Sequence, residues 1–126
     1  MKPLLPVLAA VALAACAQTQ VLPPPAALAQ RVSTLSPNAC NDATARVLAN
    51  AGVAAEQVDS LFYQPVMGGP FDKDHLVGYI AWTRLRNQPG FLVANMDTDE
   101  LGSFCHIRTV YTRGGLEVAG LPAFSY

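Results

Sequence analysis

The densest group of side chains able to move a proton or bind a metal is Asp72, Asp74 and His75, in the run FDKDH. Two carboxylates and an imidazole within four residues are the components of an acid/base pair or of part of a metal site, provided the fold converges them on one reacting atom. They sit in MGGPFDKDH, whose glycines, proline and charges mark a surface loop, where such residues are ordinary content. A second group, DTDELG at 97–102, begins like a calcium loop, with Asp97 and Asp99 at its first and third positions and Gly102 at its sixth. Leu101 then takes the fifth position, and Arg108 the twelfth, where a bidentate glutamate is needed. That segment is expected to be a solvated turn. There is no glycine-rich phosphate loop, no nucleophile elbow and no HExxH. The chain is therefore expected to be non-catalytic, with no cofactor and no metal. A small enzyme or metal-binding protein built on Asp72, Asp74 and His75 stays open as the alternative.

The cysteines are a different kind of chemistry. There are three, Cys16, Cys40 and Cys105, an odd number. The first ends an apolar run: Lys2 is a short positive region, and Leu4, Leu5, Val7, Leu8, Val11 and Leu13 follow before the small residues Ala14 and Ala15. The uncharged stretch from Pro3 to Ala15 falls short of the ~20 residues that span a bilayer. It has the layout of a secretory signal, with Pro3 and Pro6 opposing a buried helix.

Leu13-Ala14-Ala15-Cys16 resembles the lipobox of bacterial lipoproteins. The resemblance implies a diacylglyceryl group on the Cys16 sulfur and cleavage just before it. Two or three acyl chains would anchor stably, at ~0.8 kcal/mol per buried methylene. Ala17, where an aspartate would favour inner-membrane retention, implies the outer membrane. Ordinary secretion with cleavage after Ala29 is the rival reading. Lipidation of Cys16 would leave Cys40 and Cys105 as a pair in an oxidising compartment, and a disulfide between them is expected.

The elements that must position these residues are read as three segments: 1–15 as signal peptide, 16–36 as lipidated cysteine and proline-rich tether, and 37–126 as the folded domain. Ser36-Pro37 reads as a helix start. Cys40, Ala43, Thr44, Val47, Leu48 and Ala51 make one helical stripe, and Gly52 suits the C-terminal cap. Val53–Gln57 can add a turn. VDSLFYQPV is a strand that Pro65 assigns to a sheet edge. Pro89-Gly90 suits a two-residue turn between two strands, setting Arg84 opposite Asn95 and Arg86 opposite Val93. FCHIRTVYT, Gly114-Gly115 and LEVAGL then supply two more strands and a hairpin turn. The fold class is α+β: one N-terminal helix on a four- or five-stranded antiparallel meander with one disulfide.

Alternation sorts the sheet into two faces. Tyr79, Ala81, Thr83, Leu85, Leu92, Ala94, Met96, Cys105, Ile107, Thr109 and Tyr111 form the apolar face under the helix. Trp82, Arg84, Arg86, Asn95, His106 and Arg108 collect on the open face. Tryptophan among arginines is the composition of an interface hot spot, so these six are the candidate partner-binding residues. The formal charge of −1 lacks the basic excess of a nucleic-acid binder. The partners expected are the membrane, through the lipid, and an envelope protein or polymer.

GYIAW, FLVANMD and CHIRTVYTRGG are similar to the C-terminal part of small exported proteins of Gram-negative bacteria, a resemblance that implies no activity. The anchor, helix and meander also resemble the small lipoprotein subunit of the outer-membrane barrel-assembly machine, which offers a further alternative. The expected function is a small outer-membrane lipoprotein acting as a binding or accessory module in the cell envelope. Cells fed a fatty-acid analogue should label the protein and fail to label Cys16→Ser; an unlabelled wild type beginning at Gln30 refutes lipidation.

Overall fold

The computed structural model describes residues 22–68 and 75–125. Cys16, Asp72 and Asp74 lie outside the described residues. Two helices, α1 (Ala26–Leu35) and α2 (Asn41–Asn50), precede a short 3₁₀ turn at Ala55–Gln57. Five strands follow: β1 (Val58–Met67), β2 (Leu76–Leu85), β3 (Phe91–Thr98), β4 (Cys105–Arg113) and β5 (Ala123–Phe124). They form one sheet in the order β1-β2-β3-β4-β5. The α+β class and the Cys40–Cys105 disulfide hold; a single helix does not.

Helix α1 occupies part of the expected tether. Leu28 and Val32 are buried and Leu35 packs beside them, a four-then-three spacing that puts all three on one helical face. Pro25 leads directly into the helix, where a preset φ costs nothing. The packed unit therefore begins upstream of Pro37. Arg31, the one charge in that stretch, donates from Nε and Nη2 to the Val58 carbonyl at 3.2 and 3.0 Å. The β1 register shifts between Val58 and Ser60, so α1 is tied to a bulge at the start of the edge strand.

Ser36 ends α1 instead of starting α2. Proline disfavours helical geometry in the residue before it, and Ser36 is extended, at φ −157 and ψ 90. Cys40 caps α2, with its N–H donated to Asn38 Oδ1 at 2.8 Å. Gly52 sits at φ +77 just past the helix, as its cap position requires. The expected stripe is the buried one: Cys40, Ala43, Thr44, Val47 and Leu48 face the core.

Strand β1 is the edge that Pro65 indicated. The β2–β3 pairing runs Thr83↔Leu92 to Gly78↔Asp97, four residues away from the register set by a two-residue turn. The connection spans 86–90, with Asn87 at φ 60 and Gly90 at φ 74. A Cβ on Gly90 would overlap the Arg113 carbonyl oxygen, so only glycine lets this loop rest against the end of β4. An even slip keeps every side chain on its face, and Ala81, Thr83, Leu85, Leu92, Ala94 and Met96 are all buried.

An odd irregularity has the opposite effect. β3 and β4 pair Met96↔Ile107 and then Asn95↔Thr109, leaving Arg108 as an extra residue. Beyond this bulge the faces of β4 exchange. Val110 and Thr112 turn to the core side, and Thr109 and Tyr111, expected there, turn outward. LEVAGL is not a strand. After Gly114-Gly115 the chain crosses to the core side, where Leu116 is buried and Val118 and Leu121 pack. It returns as β5, parallel to β4.

The disulfide joins the start of α2 to the start of β4 across a separation of 65 residues, with the Cα atoms 5.5 Å apart. A loop of that length contributes about 4 kcal/mol in the chain-entropy model. Replacing both cysteines by alanine should lower unfolding stability by about 2–5 kcal/mol, read as an earlier denaturant midpoint. An unchanged midpoint means the bond adds nothing to the fold.

Candidate functional site

Both helices cover the same face of the sheet. The opposite face carries a second apolar cluster, built by cross-strand pairs. Phe62 stands beside Trp82, Trp82 beside Val93, and Val93 beside Tyr111. Side chains directly opposite each other on one sheet face are in contact range, so these four form a continuous row. Val93 is fully buried in its centre, although among the described residues no helix lies above it. Rings supply the cover. Phe62 stacks on Trp82 at 6.0 Å, and Phe91 meets both edge-on at 6.1 and 5.5 Å. Phe124 of β5 extends the row, edge-on to Tyr111 at 5.4 Å.

Arginines frame the rings. The Arg84 guanidinium lies 5.0 Å from the centre of Phe91, and that of Arg113 5.7 Å from Trp82, within the range of cation–π attraction. The Trp82 indole donates to Gln64 Oε1 at 3.1 Å. Trp82 is half-buried, in its own side's cluster. Phe62 and Phe124 remain 49% and 42% exposed.

Of the six residues read from the sequence, Trp82, Arg84, Asn95, His106 and Arg108 stand on this face. Asn95 donates to Thr109 Oγ1 at 2.7 Å, and Arg108 lies 3.6 Å from Asp97. Arg86 does not belong to the face. Strand β2 stops at Leu85, and Arg86 bends toward the helices, with its N–H on the Gln57 carbonyl and its Nε on the Glu56 carbonyl, both at 2.8 Å. Phe62, Phe91, Tyr111, Arg113 and Phe124 are the face residues that sequence reasoning missed. Phe62 was legible, two positions after Ser60 in an alternating strand; Tyr111 was hidden by the bulge.

Among the described residues the acidic groups do not converge. Asp97 faces Arg108. Asp99 accepts the Ser103 backbone N–H at 2.8 Å and also its hydroxyl, and these bonds hold the carboxyl below its ordinary range. DTDELG is thus a closed turn. His75 bonds Glu100 at 2.8 Å in an exposed pair. Such pairs contribute about 0–1 kcal/mol. Among the described residues no three His, Cys, Asp or Glu side chains form a metal-binding group.

A partly buried polar group lies between α2 and the sheet. The Tyr63 hydroxyl donates to Asn41 Oδ1 at 2.7 Å and lies 2.8 Å from Thr44 Oγ1. Among the described residues no buried side-chain polar atom lacks a partner, so this group ties α2 to β1 without offering a reactive atom. Burial pushes the Tyr63 phenol up to about 12, against a smaller lowering by Thr44.

No protein-family model, curated protein or solved structure matches the chain.

The Tyr63 phenol gives a pH test of this packing. In the unfolded chain it ionises near 10, in the folded chain near 12. Between those values the unfolded state holds fewer protons, so stability falls as pH rises. Urea midpoints should drop between about pH 10 and about pH 12. The drop should be smaller in Tyr63→Phe; an equal drop in both proteins places the phenol in water.

Proposed function

We propose that the chain is a non-catalytic binding or accessory module of the bacterial cell envelope, held at the outer membrane by lipid on Cys16. Its working surface is the aromatic and arginine face of the sheet. The observation that carries the reading is the row Phe62–Trp82–Val93–Tyr111, buried at its centre and open at its rim, on the face that no helix among the described residues covers. Aromatic anchors flanked by arginine, around a desolvated centre, are the composition and layout of protein-interface hot spots.

Two further features support the envelope setting. A disulfide favours an oxidising compartment. Helix α1 contains Ala29, and Leu28 is part of the core. Cleavage after Ala29 would remove a core residue, which favours processing at Cys16. The proline-rich segment before α1 then serves as a shorter tether than the whole of 16–36.

A photoreactive benzoylphenylalanine in place of Phe62 should form adducts in intact cells. Trp82→Ala should reduce them by about tenfold or more, as expected of a hot-spot residue. The same substitution should cost about 1–2 kcal/mol in stability, below the about 3–5 of a core tryptophan. Adducts from a probe at Arg46, on the helix side, with none from Phe62 or Phe124, would overturn the assignment of the face.

A further inference from the structure

Strand β5 pairs with only Thr112 and Arg113 of β4. Among the described residues, no strand lies beside the remaining edge of β4, Cys105 to Tyr111. Seven residues at about 3.3 Å each give an edge roughly 23 Å long, bent at the Arg108 bulge. The Thr112 N–H points outward, to the Pro122 carbonyl at 2.9 Å. Residues two apart present the same edge, so the Val110 N–H points outward as well.

Two apolar grooves flank this edge on opposite faces of the sheet. The outer one, about 560 Å³, is lined by Tyr111, Arg113, Pro122 and Phe124 and reaches Val110. The inner one, about 260 Å³, lies between α2, β4 and the returning chain, lined by Ala51, Ile107, Leu121 and again Val110. An added strand would send alternate side chains to opposite faces. It would fill both grooves while its backbone paired with the edge. A flat or globular ligand could fill one groove or the other.

We propose that β4 captures an extended polypeptide segment of a partner protein as a further strand, with apolar side chains at the grooves and carboxylates on the outer face. Charge selects the carboxylates: β4 carries Arg108, Arg113 and His106 and no acidic residue, against the single Asp97 of β3, which pairs with His106 and lies 3.6 Å from Arg108. The same charges oppose a second copy of this chain, because antiparallel pairing of two β4 edges would set arginines and histidines against one another. The opposite edge of the sheet is the poorer site, since Pro65 in β1 lacks a ladder donor. This proposal deepens the partner-binding reading by naming the class of partner and the place where it enters.

The probe is a labelled, end-capped heptapeptide of sequence VEVLVEV, titrated against the folded, oxidised domain by fluorescence anisotropy. Binding is expected. N-methylation of every second residue on the bonding edge should weaken it by about tenfold or more, because several backbone bonds of about 0.5–1.5 kcal/mol each are lost. Val110→Pro should do the same with the melting curve kept as a folding control, and lysine in place of both glutamates should also weaken it. Thr34→Ala, at an exposed position of α1, should leave peptide binding unchanged. Peptide binding is read without the envelope partner and the Phe62 adducts without the peptide, which separates this test from that of the aromatic face. Three results overturn the proposal: no binding of the unmodified peptide, equal binding of the N-methylated peptide, or a concentration-dependent dimer that Val110→Pro dissolves.

Discussion

The bond between Cys40 and Cys105 fixes the start of a ten-residue helix to the start of the fourth strand. Helices of that length are marginal alone in water and owe their stability to packing. Here the packing partner lies 65 residues later in the chain, with three strands in between. The covalent link removes much of the entropy of finding it. α1 has no such bond and depends instead on Leu28, Val32 and the two hydrogen bonds from Arg31 to the Val58 carbonyl. Tyr63, Asn41 and Thr44 complete the attachment of α2 to the sheet in a partly buried contact, where an unpaired hydroxyl would be costly.

Among the described residues two short helices cover one face of a five-stranded sheet, and that leaves the other face to cover itself. Val93 has the β-branched shape of a buried strand residue, and it is shielded by rings from neighbouring strands in place of a second layer. Guanidinium groups over Phe91 and Trp82 add cover while keeping their charge at the surface. A face assembled this way is dry at its centre and charged at its rim, the layout the proposed binding role calls for.

Much of this was readable in the residues. Cysteine parity and two independent periodicities pointed Cys40 and Cys105 at each other. The faces of β2 and β3 were correct although the turn was not, because Arg84 and its neighbours slipped by four positions and an even slip preserves alternation. Three features were harder to read. Leu28, Val32 and Leu35 carry a helical spacing, but over only ten residues beside a triple proline. The return of β5 depends on Leu116 finding the core, a tertiary event with no local pattern. Arg108 is an ordinary strand residue by composition, and nothing local marks it as the extra one.

That one residue decides the character of the surface. With unbroken alternation through β4, Thr109 and Tyr111 would point under the helices, and Val110 and Thr112 would face water. The bulge reverses all four. It moves Tyr111 into line with Val93, Trp82 and Phe62, where its ring can meet Phe124. It also turns Val110 toward the core side, at the point where the two grooves share a wall. The aromatic row and the flanked edge of β4 therefore have a common origin in a backbone irregularity of a single residue, and bulges are the usual means by which a sheet re-aims side chains near a working surface.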